Sequence, residues 1–215
     1  MEIPLFPDGK FPTRSRPVIL GDDLLGSSTS IRRVIDHLSH YESDDESQLA
    51  VRESMMQFGR EHGDEALHRS CAPGHFTASS LVVERGTNRF VVLFHTKLEK
   101  WLQPGGHVDG SSNLPAASLR EAIEETGMAD LVVALPAVDL DIHEVRPPKE
   151  QPHLHYDIRF VVLAPTGAEP VRNHESRDIR WVTIDELDTL DVDESVYRLA
   201  RNGLELAARI ESISG

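Results

Sequence analysis

The sequence predicts an α/β protein in which helices cover a mixed β-sheet, with an N-terminal helical extension ahead of it. Segments rich in valine, phenylalanine and threonine at 76–83, 90–94, 131–140 and 154–163 have strand character, and a helix-patterned segment at 115–126 falls among them. Strands and helices interleave without strict strand–helix–strand alternation, which favours a mixed sheet over a doubly wound parallel one.

Each element follows from its residues in turn. Pro4, Pro7, Pro12 and Pro17 fix φ and remove backbone donors, so residues 1–28 are expected to form an extended arm. From Ser30, the spacing of Ile31, Val34, Ile35 and Leu38 predicts a helix. A second helix carries Leu49, Val51, Met55, Met56 and Phe58, after an acidic break at 42–46. At Gly74 the character changes, and the two strands flanking Gly86, Thr87 and Asn88 read as a β-hairpin. After Trp101 comes the turn Pro104, Gly105, Gly106, and then the 115–126 helix, closed by Gly127. Strands at 131–140, 154–163 and 179–182 follow, and 184–190 with 195–213 form a helical C-terminal end. The division expected is an arm and helical extension over 1–74 and a main domain over 75–215, with no internal repeat.

Composition narrows the function. The 215 residues hold 36 acidic and 22 basic side chains, a formal charge of −14 that repels polyanions and argues against nucleic-acid partners. A small phosphorylated ligand stays compatible, because a divalent cation held by carboxylates reverses the sign locally. Cys71 is the single cysteine, which excludes a disulfide scaffold and fits a reducing compartment. The N-terminus has no basic region followed by an apolar run, and no apolar stretch is long enough to span a bilayer. The expectation is a cytoplasmic protein without membrane contact.

The most informative segment is Arg120-Glu121-Ala122-Ile123-Glu124-Glu125-Thr126-Gly127. On a helix Glu121, Glu124 and Glu125 fall within an arc of about 100°, with Ala116, Leu119, Ala122, Ile123 and Thr126 opposite. Like charges at these spacings cost roughly 0.2–0.5 kcal/mol per pair, and the helix dipole disfavours anions at this end. Arg120 answers one carboxylate, and the surplus suits a hard divalent cation; taken alone, the same residues also fit a solvated acidic face. Fourteen residues before Arg120 lies Gly106, in a turn that lets backbone approach a bound ion.

Together these residues resemble the Nudix hydrolase signature, a glycine-led loop, helix and loop. Gly106, Arg120, Glu121, Glu124, Glu125 and Gly127 match at the family's spacing, with Met128 as the closing apolar residue. The first glutamate of the signature falls on Ser112, and the nearest acid is Asp109. The resemblance implies a Nudix-type α/β/α sandwich that binds Mg²⁺ or Mn²⁺ and cleaves a nucleoside diphosphate linked to another moiety, by water attack at phosphorus. By similarity, Glu124 and Glu125 are principal metal ligands, Glu121 a further ligand or the group that activates water, and the Gly105 carbonyl completes the shell. Arg120 holds the glutamates in register. Glu175, six residues before Trp181, is the candidate general base or extra ligand, against an ordinary loop glutamate. The replacement by Ser112 leaves a second reading, a catalytically weak Nudix-fold module that senses a nucleotide or binds a partner.

A second constellation is His153-Leu154-His155-Tyr156-Asp157-Ile158-Arg159-Phe160. On a strand, His153, His155, Asp157 and Arg159 share one face, and the apolar residues between them face the core. That row can be a solvated face, a set of substrate contacts or a separate transition-metal site. His107 and Asp109, one strand period apart after the glycine turn, are further candidates for substrate binding. Lys97, Lys100 and Arg146 fit either phosphate steering or surface pairs, and Trp101 either base stacking or a core anchor. Cys71 reads as buried or incidental. The N-terminal helices can cap the cleft, pad the core or form a homodimer interface.

Overall fold

A computed structural model describes residues 11–21, 25–147 and 151–214; Pro4 and Pro7 of the expected arm lie outside them. The chain runs β1 (Val18–Leu20), α1 (Ile31–Ser39), α2 (Glu46–His62), a 3-10 helix (Gly63–Leu67), β2 (Gly74–Glu84), β3 (Phe90–His95), β4 (Trp101–Leu102) and β5 (Gly105–His107). It continues through α3 (Leu114–Thr126), β6 (Val132–Val145), β7 (His153–Ala164), β8 (Ser176–Val182), a second 3-10 helix (Ile184–Thr189) and α4 (Glu194–Ser214).

Among the described residues the strands form one sheet in the order β1-β6-β7-β2-β3-β4, with β5 added to β2 and β8 to β3. The β2–β7 pair is parallel and the others are antiparallel, so the sheet is mixed. On one face Phe76, Ala78, Ile158 and Phe160 meet Val34 and Leu38 of α1, Met55 and Phe58 of α2, and Leu119 and Ala122 of α3. On the other, Leu81, Val83, Val161 and Leu163 meet Val196, Leu199, Ala200, Leu206 and Ala207 of α4. Strand alternation sends consecutive residues to opposite layers, and the result is an α/β/α sandwich.

Several expectations change on folding. The arm contains a strand: β1 pairs with β6, placing Val18 opposite Leu135 and Leu20 opposite Val133. Three residues are too few to show a period in sequence. The helical extension shares the core of the sheet, since Phe58 stacks on Tyr156 with ring centroids 3.9 Å apart. The helix expected at 184–190 is a 3-10 helix. Trp101 is a core anchor, edge-on to Phe94 and covered by the Arg180 guanidinium. Lys100 pairs with Asp193 at 2.9 Å and Arg146 with Glu144, so both are engaged in surface pairs, while Lys97 is exposed.

The largest correction concerns β7. Because β7 lies between β6 and β2, the polar row of His153, His155, Asp157 and Arg159 faces the layer of α4 rather than open solvent. Asp157 and Arg159 are 1% and 2% exposed. Arg159 donates to Asp157 at 2.7 Å and pairs with Asp139 at 3.1 Å and Asp141 at 3.2 Å, while Thr77 and Ser79 donate to Asp157. Arg198 of α4 closes the cluster on Asp139 and Asp141. The substrate contact expected for Asp157 and Arg159 therefore gives way to a structural role, because their polar atoms are spent on one another inside the sandwich.

Candidate active site

The signature helix is α3. Asn113 caps its start by accepting from the Ala116 N–H, Pro115 occupies the first turn, and Gly127 ends it in the left-handed conformation at φ 63°. Its inner face brings Leu119 and Ala122 against the sheet. The expected division into a packed face and an acidic face shifts by part of a turn. Ile123 is 38% exposed and Glu125 only 4% exposed, so the sheet takes in a carboxylate and leaves an isoleucine outside.

The glycine turn explains why Glu125 is tolerated there. The Gly105 N–H donates to Glu125 Oε2 at 2.8 Å, and β5 hydrogen-bonds to β2 so closely that a Cβ on Gly105 would lie 2.1 Å from Ser79 Oγ. A Cβ on Gly106 would lie 2.6 Å from Glu121 Oε2. Gly105 is thus required by its close approach to the β2 backbone, whereas a side chain at Gly106 would have to displace the Glu121 carboxylate.

Arg120 reaches Glu121 at 2.9 Å and Glu124 at 3.7 Å, and also donates to the His107 carbonyl at 2.8 Å, which ties the helix to the strand after the glycine turn. Glu175 arrives from the far end of the chain. Val171 N–H donates to the Thr126 carbonyl at 2.7 Å, Asn173 donates to the Glu124 carbonyl at 3.3 Å, and Asn173 in turn accepts from the Glu175 N–H at 2.8 Å. These bonds fasten the 171–175 loop to the end of α3.

The electrostatics record the convergence. Burial is the main cause that pushes Glu125 up to about 8, and the charges of Glu121, Glu175 and Glu124 add to it. Glu121 is also raised, by burial first and then by Glu124, Glu175 and Asp109 against the opposing Arg120. These carboxylates resist ionising together, and a cation among them would relieve that resistance. The donor set is all oxygen, which fits Mg²⁺ or Mn²⁺. His95, which the sequence did not single out, feels the charge of Glu175, while burial lowers its own pKa.

The remaining candidates divide into two groups. Asp109 is exposed and pairs with Arg69 at 2.8 Å beside the glycine loop. The His107 ring lies 4.9 Å from that of His75 and 5.4 Å from that of His155, while His153 lies 5.0 Å from His75. These rings form a separate cluster on the α4 side, and His75, absent from the sequence-based candidates, is at its centre. Ser112 is buried, and its hydroxyl meets Ser28 Oγ at 2.8 Å.

The NUDIX domain family model matches residues 74–202. A Nudix-family hydrolase from Clostridium perfringens is similar in structure, with a TM-score of 0.51 at 22% identity, over 61% of this chain and 97% of that one. An Ap4A hydrolase from C. elegans gives 0.49 at 16% identity, over 64% and 98%, and the E. coli dihydroneopterin triphosphate pyrophosphohydrolase gives 0.48 at 16%, over 59% and 92%. No curated protein matches the chain by sequence. No helix among the described residues is long and apolar enough to cross a membrane. With the signature helix, its glycine loop and the family match over more than half its length, the chain belongs to the Nudix hydrolase family, whose members act on phosphoric anhydrides.

Proposed function

We propose that the protein is a Mg²⁺- or Mn²⁺-dependent pyrophosphohydrolase that cleaves a nucleoside diphosphate linked to another moiety. The observation that carries the reading is the buried Glu125, held by the Gly105 N–H on the same helix face as Glu121 and Glu124, with the charges of Glu121, Glu175 and Glu124 acting on it. Glu121, Glu124, Glu125 and the Gly105 carbonyl are the residues that would hold the metal. Bound there, the cation supplies Lewis-acid neutralisation of the phosphate oxygens as charge builds on them.

The chain's own groups supply the rest. Arg120 pairs with Glu121 and donates to the His107 carbonyl, so it acts as a positioning residue that keeps the helix and the loop in register. Glu175 is exposed, and its charge acts on Glu121 and Glu125; these features suit a base that takes the proton of the attacking water. Asp109, which follows the glycine turn and whose charge acts on Glu121, is proposed to meet the substrate on that side, whereas the His107 ring lies in the separate histidine cluster. The Ser112 replacement does not favour a retired site, because bonds to Ser28 supply the loop support that a glutamate would otherwise give. A small substrate in a reducing, cytoplasmic setting suits the acidic surface and the lone buried Cys71.

The test is phosphate or nucleotide release from a panel of nucleoside triphosphates, dinucleoside polyphosphates, nucleotide sugars and ADP-ribose, with Mg²⁺ or Mn²⁺. Glu125→Gln should lower turnover of the best substrate by at least about 100-fold with the fold intact. Turnover unchanged in Glu125→Gln and in Glu124→Gln would overturn the assignment.

A further inference from the structure

On the α4 side of the sheet, β2, β7 and β6 bring three histidines into one row. His75 is the register partner of His155 in the parallel β2–β7 pair, and His143 is its partner in the antiparallel β6–β7 pair. His153 stands two residues before His155, on the same face. The approach of β2 to β7 is set at Gly74, where a Cβ would lie 2.3 Å from the Leu154 carbonyl oxygen. Ligand nitrogens of His75, His153 and His155 all lie within 4.8 Å of one another.

Two features separate this cluster from a set of satisfied core histidines. His75 is 1% exposed, yet neither of its ring nitrogens has a hydrogen-bond partner. An unsatisfied buried polar group costs about 1–3 kcal/mol, so a ring placed this way calls for a ligand. His153 has the opposite arrangement. Its Nδ1 meets the Gln151 carbonyl at 2.8 Å, which makes Nδ1 the protonated nitrogen and leaves the Nε2 lone pair free to coordinate.

We propose that His75, His153 and His155 form a second metal site, for a late first-row divalent ion of the Zn²⁺ type, distinct from the carboxylate centre. Imidazole nitrogens select such an ion over Mg²⁺, whereas the carboxylate set around Glu125 has the reverse preference. With metal–nitrogen distances of about 2.0–2.1 Å, tetrahedral coordination puts the nitrogens about 3.4 Å apart, so from separations within 4.8 Å the rings close by at most about 1.4 Å on binding. His155 is only half-buried and offers the route of entry, and three protein ligands leave a fourth position for water.

The experiment uses the tag-free full chain, stripped with a chelator and titrated with Co²⁺, whose visible absorption is strong at a tetrahedral nitrogen site and weak among carboxylate oxygens. The expected result is one equivalent of intensely absorbing Co²⁺, displaced by Zn²⁺, in the wild type and equally in Glu125→Gln. His153→Gln and His155→Gln should each weaken binding by at least about tenfold, and the double variant should abolish it. Circular dichroism checks that each variant is folded, and the Zn²⁺-induced rise in Tm, expected in the wild type and absent in the folded single variants, gives an independent readout. An absent Co²⁺ band in the wild type, a band retained in the double variant or a band lost in folded Glu125→Gln would each overturn the site.

Discussion

Ser112 occupies the place where the Nudix signature carries its first glutamate, and the space around it is filled by the N-terminal segment. Its hydroxyl meets Ser28 Oγ and its N–H donates to the Ser28 carbonyl, both at 2.8 Å, while the neighbouring Asn113 amide donates to the Gly26 carbonyl. Ser112→Glu should therefore not restore a lost group. It should force a carboxylate into an occupied, buried socket, lower stability by about 1–3 kcal/mol and leave turnover no higher, which thermal melts and steady-state kinetics would check. A second residue, His37, sits edge-on to Phe160, and burial first, then His40 and Arg33, push its pKa from 6.5 down to about 4. The unfolded chain takes up this proton below about pH 6.5 and the folded chain only below about 4, so stability falls as pH drops through that window. Chemical denaturation at pH 7 and pH 4.5 should show about 1–3 kcal/mol of this loss removed in His37→Gln.

At the scale of elements, α4 is joined to β6 and β7 by charge as well as by apolar packing. Arg198 reaches Asp139 at 2.7 Å and Asp141 at 2.9 Å, and Asp139 is fully buried. Two guanidinium groups, Arg159 and Arg198, balance three carboxylates there, and removing one leaves buried negative charge without compensation. Arg198→Met should cost about 3–5 kcal/mol and lower the urea midpoint, and adding Asp139→Asn should recover part of that loss. A bulge interrupts the β6–β7 register between Ala134 and Asp139, where Pro136 has no N–H to give the ladder. Beyond it, Asp139, Asp141 and His143 face the α4 layer, so the bulge helps set both the ion cluster and the histidine row.

At the scale of the whole molecule, the N-terminal extension is part of the core that supports the active site. Phe58 lies against Phe76 and Tyr156, Gln48 bonds the Leu140 backbone on both sides, and Val34, Leu38 and Met55 are wholly buried. Each such side chain contributes about 1.5–3 kcal/mol of burial, and several together match the whole stability of a typical domain, about 5–15 kcal/mol. Shortening the chain to begin at Gly74 should abolish soluble folded protein even though it keeps the entire 74–202 family match, with soluble yield and circular dichroism as the readout.

What the sequence alone determined is whatever a local pattern can encode. The acidic helix with its closing Gly127, the glycine turn before it and the alternation of β2 and β7 all depend on residues close in the chain, and so were legible as residues 115–126, Gly105-Gly106 and the strand segments. Tertiary structure decided the rest. It chose Glu125 over Ile123 for the interior, because the Gly105 N–H was there to receive a carboxylate. It buried Asp157 and Arg159 against one another and paired Arg159 with Asp139 and Asp141 inside the sandwich. It also set His75 beside His155, eighty residues away, through a parallel strand pairing that no local periodicity records. Local spacing fixes which face a side chain takes, but only the pairing of distant strands fixes which other side chains share that face.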